Sequence, residues 1–458
     1  MGGSAMFTYV RLKNFKSFGD VTFDLRDKHG KPKKLTIVYG ENGIGKSNLS
    51  SSFYLLTETF HTMNVRDILQ SFLNKSRNEI PGDDFLAFLK SRFRDLAGLI
   101  QENKMAQSEG NLYLEFGFLL EGKTGKYILE MDNQGIVYES MEYLLSKRRG
   151  MYFEISPKHV FLSDKVFLDK GLTSNLQTLI SQFWGKHSFM SILLYDIMDK
   201  SRSYYEGKLS HAFHKVINFM MSISCKVKYG STLEQGVLGT NEFGITPSFV
   251  NGEIQLEREM DLDRNEYLLK CFLTGINRDI KDVYYKKKRT ERSIKYHLYI
   301  KKLIFGKERE LDFSLESTGT QRIVRLLPYM LEAAMGNTVI IDEFDLGIHD
   351  VLVQHIIWEL YKCIKGQLII TSHNTLLMES CSESGKPGKQ RLPAECFYVI
   401  RELDDGGKTI DCILKYDNKI GPNTNMRSQF LMGKYHGIPE KIQLDIGRLV
   451  EILSEWRD

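Results

Sequence analysis

The sequence has few cysteines and prolines and lacks a long apolar run. Its six cysteines are scattered without a C-x-x-C spacing, which excludes an obvious zinc site or disulfide framework. A reducing cytosol fits this usage, and nothing near the N-terminus has the charge and apolar order of a signal peptide. No apolar run reaches the roughly 18–20 residues of a spanning helix. We therefore expect a bacterial cytoplasmic protein with no membrane partner.

Strong charge of one sign and sequence repeats are also missing. The 62 basic and 58 acidic residues give a formal net charge of +4, too small to indicate a nucleic-acid partner by itself. Nine prolines and no low-complexity tract argue against long linkers, and without a heptad array a coiled-coil arm is not expected. Since single cores rarely grow past about 250–300 residues, a chain of 458 residues predicts two or three units or a large insertion.

Hydrophobic periodicity predicts an α/β beginning and end with a different middle. The first part reads as strands 9–15, 21–25 and 34–39, a Gly-rich turn and a helix 47–61. The middle reads as helical over 62–105, a strand meander from 112, helical over 174–221 and ambiguous over 222–257. The last part reads as a helix 266–274, a hairpin 297–313 turning at Gly306-Lys307, helices 321–335 and 351–364, and strands 338–341 and 367–371.

A phosphate-binding loop follows the third strand. The segment Gly40-Glu-Asn-Gly-Ile-Gly-Lys-Ser47 satisfies G-x-x-x-x-G-K-[ST] and lies between a β-branched strand and a helix, where this motif works. Backbone N–H groups of such a loop cradle phosphate oxygens, and Lys46 supplies a positive charge to the outer phosphates. Ser47 is the expected Mg²⁺ ligand. The competing interpretation is a simple Gly-rich turn.

A second apolar strand ends in the carboxylates Asp342 and Glu343. In phosphoryl-transfer sites such an Asp reaches the Mg²⁺ shell and such a Glu orients the attacking water. Upstream, Ser317 can cap a helix and Gly319 can bring backbone donors close to an anion. Downstream, a buried strand ends in His373.

Ordinary structural roles remain open for several of these residues. Glu343 could be an acid that merely ends a strand, and His373 could be a core histidine. Asp345 and His349 suit either a site role or packing between subunits. The run Lys286–Arg289, with tyrosines interleaved nearby, suits phosphate contacts and base stacking, or it is a solvated hairpin face.

The order of these motifs resembles an ABC-type ATPase head of the RecF/SMC kind. The opening segment Val10–Phe18 is similar to the N-terminal signature of that group, and the resemblance covers residues 6–60 and 310–400. More narrowly, the chain resembles the compact AAA/ABC-like ATPases of bacterial anti-phage systems, exemplified by the PARIS component AriA and the RloA-like proteins. Residues 425–439 are similar to their C-terminal segment.

The resemblance implies a role for each motif residue. Lys46 would bind the β- and γ-phosphates, Ser47 and Asp342 would hold Mg²⁺, Glu343 would polarise water and His373 would sense the γ-phosphate. The other nucleotide-binding residues of the loop would be Asn42, Gly43, Ile44, Gly45 and Asn48. Ser317 and Gly319 would bind the γ-phosphate of ATP held by a second subunit, so ATP would close a homodimer or higher homo-oligomer.

Departures from the family pattern qualify the expected activity. The signature is Ser-Thr-Gly-Thr-Gln rather than the fuller transporter form, and none of Gln70, Gln101 and Gln107 is a convincing Q-loop glutamine. Slow hydrolysis is therefore expected, and the soluble subunit of a membrane transporter is disfavoured.

The fold class expected is α/β, with an ABC-type P-loop ATPase head built from N- and C-terminal parts, a mostly helical insertion and a short β meander. The expected division is 1–61 (first half of the head), 62–290 (insertion contacting a partner or DNA), 291–400 (second half) and 401–458 (C-terminal segment). The function expected is an ATP- and Mg²⁺-dependent sensor subunit that controls a separate toxic effector, such as a nuclease, and responds to a phage protein or DNA. The alternative is a RecF-like DNA-repair ATPase that clamps duplex DNA.

Overall fold

The computed structural model of the chain describes residues 5–66, 94–200, 202–229, 233–239, 248–379, 391–417, 419–421, 424–438 and 445–455. Its strands are β1 (Met6–Phe15), β2 (Phe18–Asp24), β3 (Leu35–Tyr39), β4 (Leu112–Leu120), β5 (Lys123–Met131), β6 (Ile136–Leu145), β7 (Arg148–Ser156), β8 (His159–Leu162), β9 (Ser224–Tyr229), β10 (Leu233–Val237), β11 (Asn251–Gln255), β12 (Ile280–Arg289), β13 (Ser293–Ile304), β14 (Lys307–Asp312), β15 (Thr338–Ile341), β16 (Gln367–Thr371), β17 (Phe397–Glu402) and β18 (Lys408–Cys412). Its helices are α1 (Lys46–Thr59), α2 (Leu96–Asn103), α3 (Lys170–Phe183), α4 (Phe189–Lys200), α5 (Arg202–Tyr205), α6 (His211–Met221), α7 (Glu259–Ile276), α8 (Thr318–Met335), α9 (Asp350–Cys363), α10 (Met426–Leu431) and α11 (Ile446–Glu455). Within these described ranges, no helix combines the length and the apolar character needed to cross a membrane.

The central sheet has the strand order β10-β9-β15-β16-β3-β17-β18. The five inner strands are parallel, whereas β10 and β18 pair antiparallel at the two edges. Every residue of β3, β15 and β16 is buried, as expected of parallel strands covered on both faces. Because these three strands are neighbours, the segments that follow them meet at one edge of the sheet.

Two hydrophobic cores lie on opposite faces of the central sheet. Along β3, Ile37 and Tyr39 face one core and Val38 faces the other, as the two-residue period of a strand requires. Helices α8 and α9 contribute to the core on the side of Ile37. On the side of Val38, helix α1 packs between the central sheet and a second sheet, and Phe53 of α1 contacts the ring of Phe7 at 5.4 Å.

The second sheet is antiparallel, with the order β2-β1-β4-β5-β6-β7-β8. The buried Glu139 carboxylate on β6 accepts hydrogen bonds from Tyr127 and Trp184 side chains and from the first two backbone N–H groups of α4. A carboxylate at a helix N-terminus offsets both the orphan donors and the helix dipole. Glu139 thus fixes the helical layer against this sheet.

A third, smaller sheet carries the predicted hairpin. Strand β13 pairs with β11, β12 and β14. Ile304 pairs with Lys307, so the turn is Phe305-Gly306 and not Gly306-Lys307 as the sequence indicated. Both turn residues have positive φ, 50° and 72°, the geometry of a two-residue turn that matches strand twist.

The expected fold class, an α/β fold with a P-loop head assembled from both ends of the chain, is confirmed. The middle of the chain differs from the expected division. Strand β9, inside the expected insertion 62–290, lies in the central sheet beside β15, and the meander adds five strands to the β1–β2 pair. Strand β9 is short and has few apolar residues, so its sequence does not reveal which sheet it joins. Of the segment expected to be helical, residues 67–93 lie outside the described residues.

Candidate nucleotide-binding site

The loop between β3 and α1 forms one wall of a small cavity at the carboxyl edge of the central sheet. The cavity, of about 150 Å³, is lined by Asn42, Gly43, Gly45, Lys46, Ser47, Asn48, Glu343 and His373. Lys46 and Glu343 are far apart in the chain, and the adjacency of β3, β16 and β15 brings them together. Ile44 is buried and does not line the cavity.

The opening segment of the chain supports this loop from behind. A Cβ at Gly45, where φ is 120°, would lie 3.0 Å from the ring of Phe18, so only glycine fits between loop and ring. Asn48 donates a hydrogen bond to Ser17 Oγ at 2.8 Å. The similarity of residues 10–18 to a family signature thus has a structural counterpart in the support of the loop.

Lys46 folds back onto its own loop. Its Nζ donates to the carbonyl oxygens of Gly40 at 2.7 Å and Glu41 at 2.8 Å. Burial lowers the pKa of the Lys46 ammonium, and the nearby carboxylates of Asp342 and Glu343 oppose that shift. Phosphate oxygens are stronger acceptors than carbonyl oxygens, so a bound phosphate can replace the carbonyl partners of this ammonium.

Asp342 follows β15 and is buried beside the cavity. Thr371 Oγ1 donates to its Oδ1 at 2.7 Å, whereas Oδ2 has no hydrogen-bond partner among the described residues. An unsatisfied buried carboxylate oxygen is costly unless a cation or water completes it. The described residues contain no group of three or more His, Cys, Asp and Glu able to hold a metal ion. Asp342 Oδ2 and the hydroxyl of Ser47, which lines the cavity, are oxygen donors that fit Mg²⁺, an ion typically held by few protein ligands together with phosphates and water.

Glu343 occupies a backbone conformation that is rare for a non-glycine residue, with φ at 47°. The turn is held on both sides: Glu343 N donates to Thr371 Oγ1 at 2.8 Å, and Arg322 Nη2 donates to Glu343 O at 2.6 Å. Its carboxylate lies 3.9 Å from Lys228 Nζ. Strained residues of this kind persist only where the surroundings fix them, which is frequent at functional sites.

His373 lines the cavity from the end of β16, and its backbone N–H donates to Asp345 Oδ2 at 3.0 Å. Asp345 thus connects the segment after β15 to the segment after β16. His349 instead caps α9, accepting from Val351 N at 3.3 Å.

Ser317 and Gly319 lie outside the cavity lined by the loop. Ser317 caps α8, accepting from Thr320 N at 3.2 Å, and lines a different concave surface. A Cβ at Gly319 would lie 2.6 Å from Gly347 O, so the start of α8 packs closely on the segment after Glu343. The structure brings the loop, Asp342, Glu343 and His373 together, and Ser317 and Gly319 do not line the cavity that they form.

Three contributors to the site were not foreseen from the sequence: Thr371, Arg322 and Lys228. A threonine that follows the apolar run Leu368–Ile370 was a detectable signal for Thr371. Arg322 is five residues beyond Ser317, and Lys228 lies on β9. Neither could be placed beside Glu343 before the position of β9 in the sheet and the packing of α8 on the sheet were known.

Comparisons with known families agree with this geometry. A model described as "AAA domain" matches residues 9–141, and one described as "AAA domain, putative AbiEii toxin, Type IV TA system" matches residues 243–379. None of the curated proteins compared with the chain matches it. The two family matches, both described as AAA domains, agree with a P-loop ATPase site.

Solved structures with similar folds include the SMC head domain from Thermotoga maritima, with 14% identity, 89% of this chain and 98% of that chain covered, and a TM-score of 0.36. The Smc head domain bound to the C-terminal domain of ScpA, from Pyrococcus furiosus, has 11% identity, 99% and 100% coverage and a TM-score of 0.39. RecF with ATP, from the RecFOR pathway, has 12% identity, 89% and 99% coverage and a TM-score of 0.38. At these scores the likenesses carry no functional argument.

Proposed function

We propose that this chain binds Mg²⁺·ATP in the cavity beside Lys46 and hydrolyses it slowly. The observation that carries the proposal is the convergence of Lys46, Ser47, Glu343 and His373 on one small cavity. Lys46 and the loop N–H groups hold the phosphates, and Glu343 orients the water that attacks the γ-phosphate. His373 donates to a γ-phosphate oxygen. Bound Mg²⁺, held through Ser47 and Asp342, would supply neutralisation of phosphate charge.

A complete site would require two copies of the chain. Ser317 and the N-terminus of α8 offer an anion-binding group that does not face the cavity of the same copy. In a head-to-head dimer, each copy would present Ser317 and Gly319 to the ATP of the other. ATP would then act as part of the interface, and assembly would depend on nucleotide.

The role we propose for this ATPase is that of a sensor subunit that controls a separate toxic effector in anti-phage defence. The resemblance of the motifs and of residues 425–439 supports it, and the model matching residues 243–379 carries the name of a toxin from a toxin–antitoxin system. The C-terminal segment packs beside the phosphate loop: Phe430 contacts the ring of Tyr39 at 5.5 Å. It also exposes Leu431 and Met432, apolar side chains available to a protein partner.

The alternative, a RecF-like ATPase that clamps DNA, was motivated by the run Lys286–Arg289 on β12. In the structure, acidic side chains pair with Lys286, Lys287 and Arg289; the partners are Glu310, Asp263 and Glu259. Such pairing reduces the positive potential available to a phosphate backbone. The pairing therefore weakens the observation that motivated the clamp.

One purification separates these roles. Tagged Glu343→Gln protein would be isolated with ATP from cells carrying its native operon, and native mass spectrometry would identify every stoichiometric companion. We expect a nucleotide-dependent assembly that contains a second protein with nuclease or other toxic activity. The variant Lys46→Ala/Glu343→Gln is the matched control and should yield no such assembly. A dimer that carries DNA and no protein partner would instead establish the clamp.

A further inference from the structure

The tip of the β13–β14 hairpin is an unusually exposed apolar surface. We define the apolar tip as Leu303 and Phe305 of the hairpin together with Leu315, which follows β14; their exposed fractions are 41%, 97% and 73%. Phe305 stands in the two-residue turn with φ at 50°, a conformation that polar residues and glycine adopt far more easily. A strained and solvated phenylalanine at a hairpin turn opposes both solubility and turn stability. Local folding gives no reason for it, so an external contact is the natural explanation.

The apolar tip is rigidly joined to the start of α8. Lys302 lies two residues after the buried Ile300. Its Nζ pairs with Glu316 Oε1 at 2.9 Å, and the Glu316 side chain is almost completely buried. Gln321 Nε2 donates to the carbonyl oxygens of Ser314 at 2.8 Å and Glu316 at 2.9 Å. These bonds hold the residues on both sides of Leu315 in place. The tip therefore keeps a fixed position relative to Ser317.

The apolar tip and the signature residues share one surface. A single concave region of about 630 Å³ is lined by all three residues of the apolar tip and by Ser317 and Thr320. A molecule that occupies this region therefore lies against both the apolar tip and Ser317.

We propose that the apolar tip is an anchor of the interface with a second copy of this chain, formed when Ser317 reaches the ATP held by that copy. The inference rests on the proposed function, because it uses the two-copy site described there. The second copy is the occupant because Ser317 does not line the cavity beside Lys46 in its own chain, and the concave region that Ser317 lines also carries the tip. Aromatic side chains, phenylalanine included, are enriched at the cores of protein interfaces relative to the rest of the surface.

The test compares variants of the Glu343→Gln protein with Mg²⁺·ATP by analytical ultracentrifugation. Phe305→Asp should weaken the ATP-dependent dimer at least tenfold, while the affinity of the single chain for ATP stays within twofold. Phe305→Leu should retain most of the dimer. The matched control is Met260→Asp, because Met260 is 71% exposed and lies at the opposite end of α7 from the concave region, roughly 24 Å away at 1.5 Å per residue.

The outcomes separate this inference from the proposed function. If the parent dimerises with ATP and Phe305→Asp dimerises equally well, the inference about the tip is overturned and the two-copy site stands. If the parent binds ATP and stays monomeric at concentrations well above those of the assay, the two-copy site fails and the inference fails with it. Loss of the dimer in Phe305→Asp and not in Met260→Asp supports the inference.

Discussion

Replacing Thr371 by valine tests how the carboxylates at the end of β15 are held. The buried Thr371 hydroxyl donates to Asp342 Oδ1 at 2.7 Å and accepts from Glu343 N at 2.8 Å. Valine keeps the volume and removes both bonds. A hydrogen bond to a charged group contributes about 1.5–3 kcal/mol and a neutral one about 1 kcal/mol. We therefore expect Thr371→Val to lower the free energy of unfolding by about 2–4 kcal/mol.

Turnover should fall as well, because Asp342 and the strained Glu343 turn lose a shared partner. Misplacement that costs about 1.4–2.8 kcal/mol in the transition state slows ATP turnover 10- to 100-fold. Thr371→Ser is the matched control: it keeps the hydroxyl and removes one methyl group, at about 1 kcal/mol. Urea unfolding and steady-state phosphate release measure the two effects. If valine matches serine in both measurements, the hydroxyl does not hold these carboxylates.

Three further substitutions follow from the site. Lys46→Met should weaken ATP binding at least 100-fold by calorimetry without lowering the free energy of unfolding, since it removes a buried ammonium; unchanged ATP affinity would contradict the phosphate role. Arg322→Met should reduce turnover about tenfold, or about 1.4 kcal/mol, and leave ATP affinity within threefold, because Arg322 contacts the Glu343 carbonyl and not the cavity; equal loss of binding would contradict a positioning role. Burial, with nearby Arg322 and Arg325, lowers the pKa of Lys226 to about 8 in the folded state. A lysine whose pKa is lowered by folding reduces the free energy of unfolding at pH values below that folded-state pKa, and this cost disappears as the pH rises to the unfolded-state pKa. Lys226→Met should therefore be more stable than the parent by roughly 1–3 kcal/mol at pH 7, with the difference shrinking towards pH 10 in denaturation curves; a difference independent of pH would exclude this cause.

The chemistry at the ends of β3, β15 and β16 could be predicted because each motif is local. A buried apolar strand followed at once by a phosphate loop, two carboxylates or a histidine specifies both the element and the edge of the sheet where the residues meet. The cavity that joins Lys46, Glu343 and His373 follows from that rule. Their roles in catalysis stay predictions.

The neighbours that hold these residues could not be predicted in the same way. Lys228 reaches Glu343 only because β9 pairs with β15, and the segment 222–257 gives no periodic signal for that pairing. Arg322 reaches the Glu343 carbonyl through the packing of α8 on the sheet. Such contacts depend on tertiary packing, which propensity and spacing along the chain do not encode.

The position of β3 explains why the two ends of this chain form one unit. Strand β3, which precedes the phosphate loop, lies between β16 and β17 in the central sheet. Both of these partner strands come from the last third of the chain, so neither comes from the N-terminal part to which β3 belongs. The buried Gln367 side chain closes the same seam, bonding Phe7 N at 2.9 Å, Phe7 O at 3.0 Å and Lys33 O at 3.1 Å. An amide that bonds three backbone groups of the N-terminal part cannot be satisfied until both ends have met. We therefore expect β3, which carries the loop, to gain its sheet partners only when the last third of the chain has folded, and contacts of such long sequence separation favour slow folding.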